Sequence, residues 1–211
     1  ITKAAPSIAD GWNLRAEVAQ RKGSHTDAIK FLDKLLKITP KDAAALNNRG
    51  NAYRQLRELP EARDAYLQSL ALRAGHLATL KNLGEVQSAL GEHAQAEHTF
   101  RQVVEIQTED QEGWLNLAAA LVRQENFRAA LEAYERLVAL GRDDADVYQG
   151  LYQSYFSLGR MDMARSSLDH LMEIAADNPK YHVYAATLYL VSGHWALGWA
   201  AAANRWQWQP E

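Results

Sequence analysis

The stretch LNNRGNAYRQLRELPEARDAY, residues 46–66, decides the fold of this chain. It begins with Leu46, Gly50 and Tyr53 at i, i+4 and i+7, the spacing of residues on one face of an α-helix. A second set with helical spacing starts at Ala62, after a break of mostly polar residues. The stretch therefore predicts two short helices joined by a turn.

The pattern of this stretch recurs with a constant period of about 34 residues, without insertion or deletion. Four positions of the repeat form columns of similar residues. The columns are Gly23, Arg57, Gly91, Glu125, Gly159 and Gly193; Ala28, Ala62, Ala96, Ala130, Ala164 and Gly198; Leu32, Tyr66, Phe100, Tyr134, Leu168 and Ala202; and Trp12, Leu46, Leu80, Trp114, Tyr148 and His182. Such a period is typical of solenoids, in which each repeat buries its apolar face against its neighbours.

The glycine-rich column predicts where the first helix of each repeat ends, because glycine readily adopts a positive φ. Pro40 and Pro210 share a late position in their repeats, where proline ends the second helix. Pro6 has the same phase, so we expect residues 1–8 to be the tail of a preceding repeat or an N-terminal extension. The predicted repeats are 9–42, 43–76, 77–110, 111–144, 145–178 and 179–211, the last with a Trp-rich final helix.

These repeats resemble the tetratricopeptide repeat (TPR) family over about residues 9–210. The matching residues are Trp12, Ala16, Gly23, Ala28, Leu32 and Pro40 in the first repeat, Leu46, Gly50, Tyr53, Ala62 and Tyr66 in the second, and Leu80, Leu83, Gly84, Gly91, Ala96 and Phe100 in the third. In the sixth repeat, His182 and Ala202 replace large apolar residues. The resemblance implies an all-α fold, a right-handed α-solenoid of six helix-turn-helix repeats whose first helices line a concave groove.

Composition excludes several classes of protein. With 23 Lys+Arg, 26 Asp+Glu and a formal net charge of -3, the chain lacks the basic excess of a nucleic-acid-binding protein. No apolar run approaches the ~20 residues of a membrane span, and the absence of Cys fits a cytoplasmic location. Because the chain begins at Ile1 rather than Met, we expect it to be a fragment of a longer protein.

No residue pattern in the sequence indicates catalysis. The seven histidines include no i,i+4 pair that would place two imidazoles on one helical face for a metal. Nucleophile-elbow, phosphate-loop and zinc-protease motifs are also absent. Asp143 and Asp144 lie at a repeat junction, where a turn and a helix N-cap account for them. We therefore expect a non-catalytic chain without metal or cofactor.

The face of each first helix opposite its core carries the candidate binding residues. Asn48, Asn82 and Asn116 occupy the same position of three consecutive repeats and form an asparagine ladder. An amide can donate to and accept from a peptide backbone without recognising its side chains. Three such bonds give only weak binding, at about 0.5–1.5 kcal/mol each, so side-chain pockets must contribute. The further candidate peptide-binding residues are Asn47, Asn51, Arg54, Lys81, Glu85 and Arg123. The alternative is that Asn is simply a tolerated residue in this column.

The ladder is similar to one in the repeats of O-linked glycosyltransferases, where it holds the acceptor polypeptide. In this chain it covers three repeats only, since Leu14, Gly150 and Tyr184 occupy the column elsewhere. The carboxylate clamp of co-chaperone repeats fits poorly: Asn47 stands where that clamp needs Lys, and Glu112 and Asn116 stand where it needs Lys and Arg.

The C-terminal segment is rich in tryptophan. Trp195, Trp199 and Trp206 fall on one helical stripe, and Trp208 follows. Either they pack onto the preceding helix, or a downstream domain or a second copy of the chain covers them, because a solenoid normally ends in a polar face.

The tryptophan pattern, with Gly193, Gly198 and Arg205, resembles the last repeat of bacterial proteins in which TPRs precede a glycosyltransferase domain. The first hypothesis is therefore a protein-binding module that forms the acceptor-recognition half of a bacterial protein glycosyltransferase. The alternative is a self-associating scaffold or adaptor without an enzymatic partner domain.

Overall fold

The computed structural model describes residues 4–175 and 178–204, and over these residues it is built from twelve α-helices. The chain divides into a first unit, Ile1–Thr108, and a second unit, Glu109–Glu211. The first unit contains α1 (Ala4–Arg21), α2 (His25–Ile38), α3 (Ala43–Gln55), α4 (Leu59–Leu72), α5 (Leu77–Ala89) and α6 (His93–Ile106). The second contains α7 (Gln111–Arg123), α8 (Phe127–Ala139), α9 (Ala145–Ser157), α10 (Met161–Ile174), α11 (Pro179–Val191) and α12 (Trp195–Asn204).

Within each unit, every helix packs against the next one in chain order. The alanine column lies at the closest approach of the helices, and Ala28, Ala62, Ala96, Ala130 and Ala164 are each 0% exposed. The column of large residues fills the space beside these alanines, because Leu32, Tyr66, Phe100, Tyr134 and Leu168 are all buried. The columns that recur once in each repeat thus form the core.

The first helix begins within the predicted tail or N-terminal extension, residues 1–8. Residues 4–8 are part of α1 and continue directly into the first predicted repeat, so they are not the end of a separate helix. Pro6 lies in the first turn of α1, where backbone amides have no partner within the helix, and a proline is therefore tolerated.

The turn between paired helices has a positive φ in every repeat, including the two without glycine. Gly91 has a φ of 78°, and Arg57 and Glu125 adopt φ values of 64° and 58°. A left-handed conformation costs a non-glycine residue about 1–2 kcal/mol. Arg57 and Glu125 therefore adopt a strained backbone conformation that glycine would adopt without strain.

Large side chains also require glycine on the neighbouring helix. A Cβ atom added to Gly50 would lie 2.6 Å from the Tyr66 ring, and one added to Gly84 would lie 2.6 Å from the Phe100 ring. Both distances are far below van der Waals contact, so these rings pack directly on backbone.

Polar residues at the repeat junctions cap the first helices. The Asp42 carboxylate accepts a hydrogen bond from the Ala45 amide at 3.0 Å, and Asp144 accepts one from Val147 at 3.1 Å. Burial alone would raise the pKa of Asp144, but hydrogen bonds from Arg142 and the Val147 backbone hold it below its usual range. Asp144 is therefore an ionised N-cap, as its junction position predicts.

Replacing Glu125 by Gly should stabilise the second unit by about 0.5–1 kcal/mol, because relief of the left-handed strain exceeds the entropy that glycine adds to the unfolded chain. Urea unfolding monitored by circular dichroism measures this change. Glu125→Ala removes the same side chain but keeps the Cβ atom, so it should give no comparable gain. Equal stabilisation by both variants would show that backbone strain is not the cause.

Replacing Gly84 by Ala should destabilise the first unit by about 1–3 kcal/mol, since the new methyl group overlaps the Phe100 ring. The same unfolding experiment applies. In the Phe100→Leu background the cost of Gly84→Ala should be smaller, because the overlapping ring is absent. Additive effects of the two substitutions would contradict this packing argument.

Candidate functional site

The predicted peptide-binding residues lie on the first helices of the paired repeats. We call the surface formed by α1, α3 and α5 in the first unit, and by α7, α9 and α11 in the second, the first-helix face of that unit. The first unit carries Asn47, Asn48, Asn51, Arg54, Lys81, Asn82 and Glu85, and the second unit carries Asn116 and Arg123.

Two of the predicted asparagines bind each other. The Asn82 Nδ2 atom donates to Asn51 Oδ1 at 3.0 Å, and the Tyr66 hydroxyl donates to the same oxygen at 2.7 Å. Burial raises the pKa of Tyr66 to about 12, so its hydroxyl keeps the proton that it donates. Part of the hydrogen-bonding capacity of Asn82 and Asn51 therefore joins α3 to α5.

Further candidates on α3 also pair with α5 or its N-cap. Thr79, which is 0% exposed, donates from its hydroxyl to Asn47 Oδ1 at 2.9 Å, and the same hydroxyl lies 2.8 Å from His76 Nδ1. Arg54 forms an ion pair with Glu85. These side chains fix the register between neighbouring first helices.

Asn48 and Asn116 differ from Asn82. Both are half-buried on their helices, and neither side-chain amide has a hydrogen-bond partner within the described part of the chain. The hydrogen bond that Gln20 Nε2 donates to Asn48, at 3.0 Å, goes to the backbone carbonyl of Asn48 and not to its side chain. Of the charged candidates, Arg123 and Lys81 also lie on first helices, and Lys81 is half-buried.

In the second unit, the asparagine column continues from Asn116 with Gly150 and Tyr184 in place of asparagine. A Cβ atom at Gly150 would overlap the Tyr134 ring, so only glycine fits there. Tyr184 stacks on Tyr152 with ring centroids 4.6 Å apart, and the Lys180 ammonium lies 5.7 Å from the Tyr184 ring centre. Sequence reasoning missed this aromatic group, although the appearance of Tyr in an Asn column was a signal.

The tryptophans of α12 are exposed. Trp195 is 63% and Trp199 is 67% exposed, whereas Gly198 faces inward against Leu190. The expectation that these two side chains pack onto the preceding helix is therefore wrong, because a glycine rather than a tryptophan makes that contact. Trp206 and Trp208, predicted for the same surface, lie outside the described residues.

Two grooves lie between consecutive second helices, on surfaces that sequence reasoning did not consider. The α4–α6 groove has a volume of about 680 Å³ and the α8–α10 groove about 470 Å³. The former is lined by Leu67, Leu70, Ala71, Ala74, Gly75, Leu80, Leu83, Gln87, Ala94, Gln95, His98, Thr99 and Gln102. The latter is lined by Glu135, Val138, Ala139, Tyr148, Leu151, Tyr155, Met163, Ser166 and Ser167, and each of these occupies the same repeat position as a lining residue of the former.

The corresponding space between α2 and α4 contains an arginine. Arg49, in the column of Leu83 and Leu151, donates to Asp33 and to Gln68, both at 3.2 Å. A leucine at this position is too short to link the two second helices. That column was the signal in the sequence that could have revealed the grooves.

The described residues contain neither a metal cluster nor a membrane span. No three His, Asp or Glu side chains among them are grouped so that they could hold a metal ion. Over the same ranges of the chain, no helix is long and apolar enough to cross a membrane.

Comparison with protein families gives tetratricopeptide repeat models that match residues 7–74, 41–109, 81–145 and 121–187. The chain belongs to the tetratricopeptide repeat family. Structures of TPR proteins superpose on most of it. One from Parabacteroides merdae covers 97% of this chain and 81% of its own, with a TM-score of 0.78 and 17% identity. YrrB, a TPR protein with an unusual peptide-binding site, covers 85% and 88% with a TM-score of 0.73 and 21% identity. The predicted all-α TPR solenoid class is confirmed.

Curated relatives of this TPR chain are much longer proteins. Human protein O-mannosyl-transferase TMTC3 is 20% identical over 81% of the chain, which spans 20% of the relative. Anaphase-promoting complex subunit 3 of Schizosaccharomyces pombe is 19% identical over 92% of the chain, which spans 30% of that relative. The TPR fold is in general a non-catalytic one, and the chain is a protein–protein interaction module.

Proposed function

We propose that this TPR chain binds extended polypeptide on the first-helix face of each unit, through the side-chain amide of Asn48 in the first and of Asn116 in the second. The observation that carries the proposal is that both amides are half-buried and have no partner within the described residues. A partly buried polar group without a partner gains free energy when a ligand supplies its hydrogen bonds. Asn82 contributes less, because one of its N–H groups already binds Asn51.

Side chains beside the amides add selectivity. Arg54 and Glu85 pair with each other, so these two charges offset each other on the first-helix face of the first unit. In the second unit, Tyr184 is half-buried, and Val191, at 60% exposure, adds an apolar side chain on the same helix. Apolar side chains of the ligand gain more from this second surface, because burial of apolar area contributes about 25 cal/mol per Å².

We further propose that the bound polypeptide is the acceptor of a protein glycosyltransferase. Support comes from the resemblance of the asparagine ladder to that of O-linked glycosyltransferases, and from the similarity to a protein O-mannosyl-transferase. The gene sequence tests this hypothesis directly. A glycosyltransferase domain encoded with these repeats would support it, whereas repeats encoded without one would favour the scaffold hypothesis.

A phage-displayed library of random peptides, selected on the immobilised wild-type chain, should yield peptides that bind the first-helix face. For a selected peptide, calorimetry should give about threefold to tenfold weaker binding to Asn48→Ala or to Asn116→Ala, according to the unit that it contacts, as expected for the loss of one hydrogen bond. Circular dichroism and melting temperature should remain unchanged in both variants.

Asn82→Ala is the matched control in the same column. It should lower the unfolding free energy by about 0.5–1.5 kcal/mol, because it removes the bond to Asn51. Peptides whose affinity is unaffected by both Asn48→Ala and Asn116→Ala would contradict the proposal.

A second candidate function is self-association through α12, favoured by the exposure of Trp195 and Trp199. Residues 195–204 contain no charged side chain, and a helix that is apolar on all sides is normally covered by other protein. We expect sedimentation velocity to show a dimer whose population rises with concentration, and the double variant Trp195→Ser, Trp199→Ser to remain monomeric.

Leu14→Ser serves as a control, because Leu14 is similarly exposed, at 62%, on a different helix. It should leave the dimer intact. A wild-type chain that stays monomeric at every concentration would refute self-association, and an equal loss of dimer in Leu14→Ser would refute the role of α12.

A further inference from the structure

We propose that the α8–α10 groove is a second docking site, separate from the first-helix face, and that it takes a basic amphipathic segment of a partner protein. Such a segment presents apolar side chains flanked by Lys or Arg. The proposal rests on the shape, the apolar surface and the acidic surroundings of this groove.

The groove is apolar and accessible. Leu151 and Tyr155 form its floor, while Val138, at 40% exposure, and Met163, at 49% exposure, stand on opposite walls. Its volume of about 470 Å³ lies in the range of ~300–1,000 Å³ that is usual for binding pockets. A flexible methionine on the wall lets the groove adapt to ligand side chains of different shape. Aliphatic side chains of a partner helix therefore fit this surface.

Most charges around the groove are acidic, although Arg160 also acts electrostatically on Tyr155. Among the described residues, Glu135 is the only charged one that lines it, and its carboxylate accepts a hydrogen bond from the Tyr155 hydroxyl at 3.1 Å, which holds it at the groove. At one end, the Tyr148 and His170 rings are in contact in a tilted arrangement, with ring centroids 3.9 Å apart. Asp143 lies 2.7 Å from His170 Nε2, and Glu173 lies 3.7 Å from its Nδ1. Three carboxylates thus lie at or near an apolar groove.

The apolar lining and the nearby carboxylates together determine which class of ligand the groove favours. An acidic peptide would be repelled by Glu135, Asp143 and Glu173, whereas Lys or Arg side chains beside the apolar anchors would approach them favourably. An amphipathic helix with its apolar face in a groove is a recurring mode of peptide recognition. A basic amphipathic segment satisfies both requirements.

The α4–α6 groove provides an internal comparison. It is formed by the same columns of the repeat, but Leu67 takes the place of Glu135 and Gln95 takes the place of Met163. The two grooves are therefore formed by the same repeat positions, but the α4–α6 groove lacks the acidic lining residue. Comparing them separates the contribution of groove shape to peptide affinity from that of charge.

The experiment uses a fluorescein-labelled peptide of about 15 residues, composed of Leu and Lys with an amphipathic helical period. Fluorescence anisotropy should show binding to the wild-type chain that is about tenfold weaker for Glu135→Lys and for Val138→Lys, because each variant places a like charge in the groove. Both positions are solvent-exposed, and circular dichroism confirms that the variants fold.

The matched control is Leu67→Lys, at the equivalent position of the α4–α6 groove, which should bind the peptide like the wild type. Asn48→Ala should also bind it normally, since it lies on the first-helix face. Loss of binding in Leu67→Lys as large as in Glu135→Lys, unchanged binding in both α8–α10 variants, or equal affinity for a peptide with Glu in place of Lys would each overturn the proposal.

Discussion

The contact on which the structure depends is that of a large side chain on the bare backbone of the helix beside it. Tyr66 packs on Gly50 and Phe100 packs on Gly84, at distances that exclude even a methyl group. Because helices can approach this closely only where a small residue faces a large one, the small and large positions must recur together. The constant period of the sequence is the consequence of this requirement. The alanine column lies on the second helix of each pair and is fully buried, so small residues also occupy the close contacts made by the second helices.

The fold was predictable because its determinants are local and repeated. The column of Gly23, Arg57, Gly91 and Glu125 marked each turn, and all four residues have a positive φ. For residues 4–8 the sequence left two alternatives open, because phase alone cannot distinguish a proline that ends one helix from a proline in the first turn of the next. The sequence left open whether Trp195 and Trp199 are exposed or pack on α11 for a related reason. Helical spacing shows that they share a stripe, but not which stripe of α12 faces α11.

The candidate binding residues were less predictable, since the availability of their side chains depends on contacts between repeats. Asn48, Asn82 and Asn116 are equivalent in sequence, yet within the described residues only the Asn82 side chain bonds to the preceding first helix. That bond requires an asparagine at position 51, whose Oδ1 also accepts from the Tyr66 hydroxyl, so three different columns contribute to it. The grooves escaped prediction in the same way. Between α2 and α4 the intervening first helix provides Arg49, which bonds to both second helices, whereas Leu83 and Leu151 in the same column line the two grooves.

The columns of the repeat therefore have two different roles. Residues that build the core contact the helix of the same or the next repeat, and their replacement changes stability. At some positions of the first-helix face and of the second-helix grooves the residue varies between repeats, as where Tyr184 replaces Asn and Glu135 replaces Leu67. The two ligands proposed above, a peptide backbone for the amides and a basic segment for the carboxylate beside apolar walls, would accordingly be bound by different repeats of one scaffold. The energetic independence of distant sites on a repeat protein makes these surfaces separable by single substitutions.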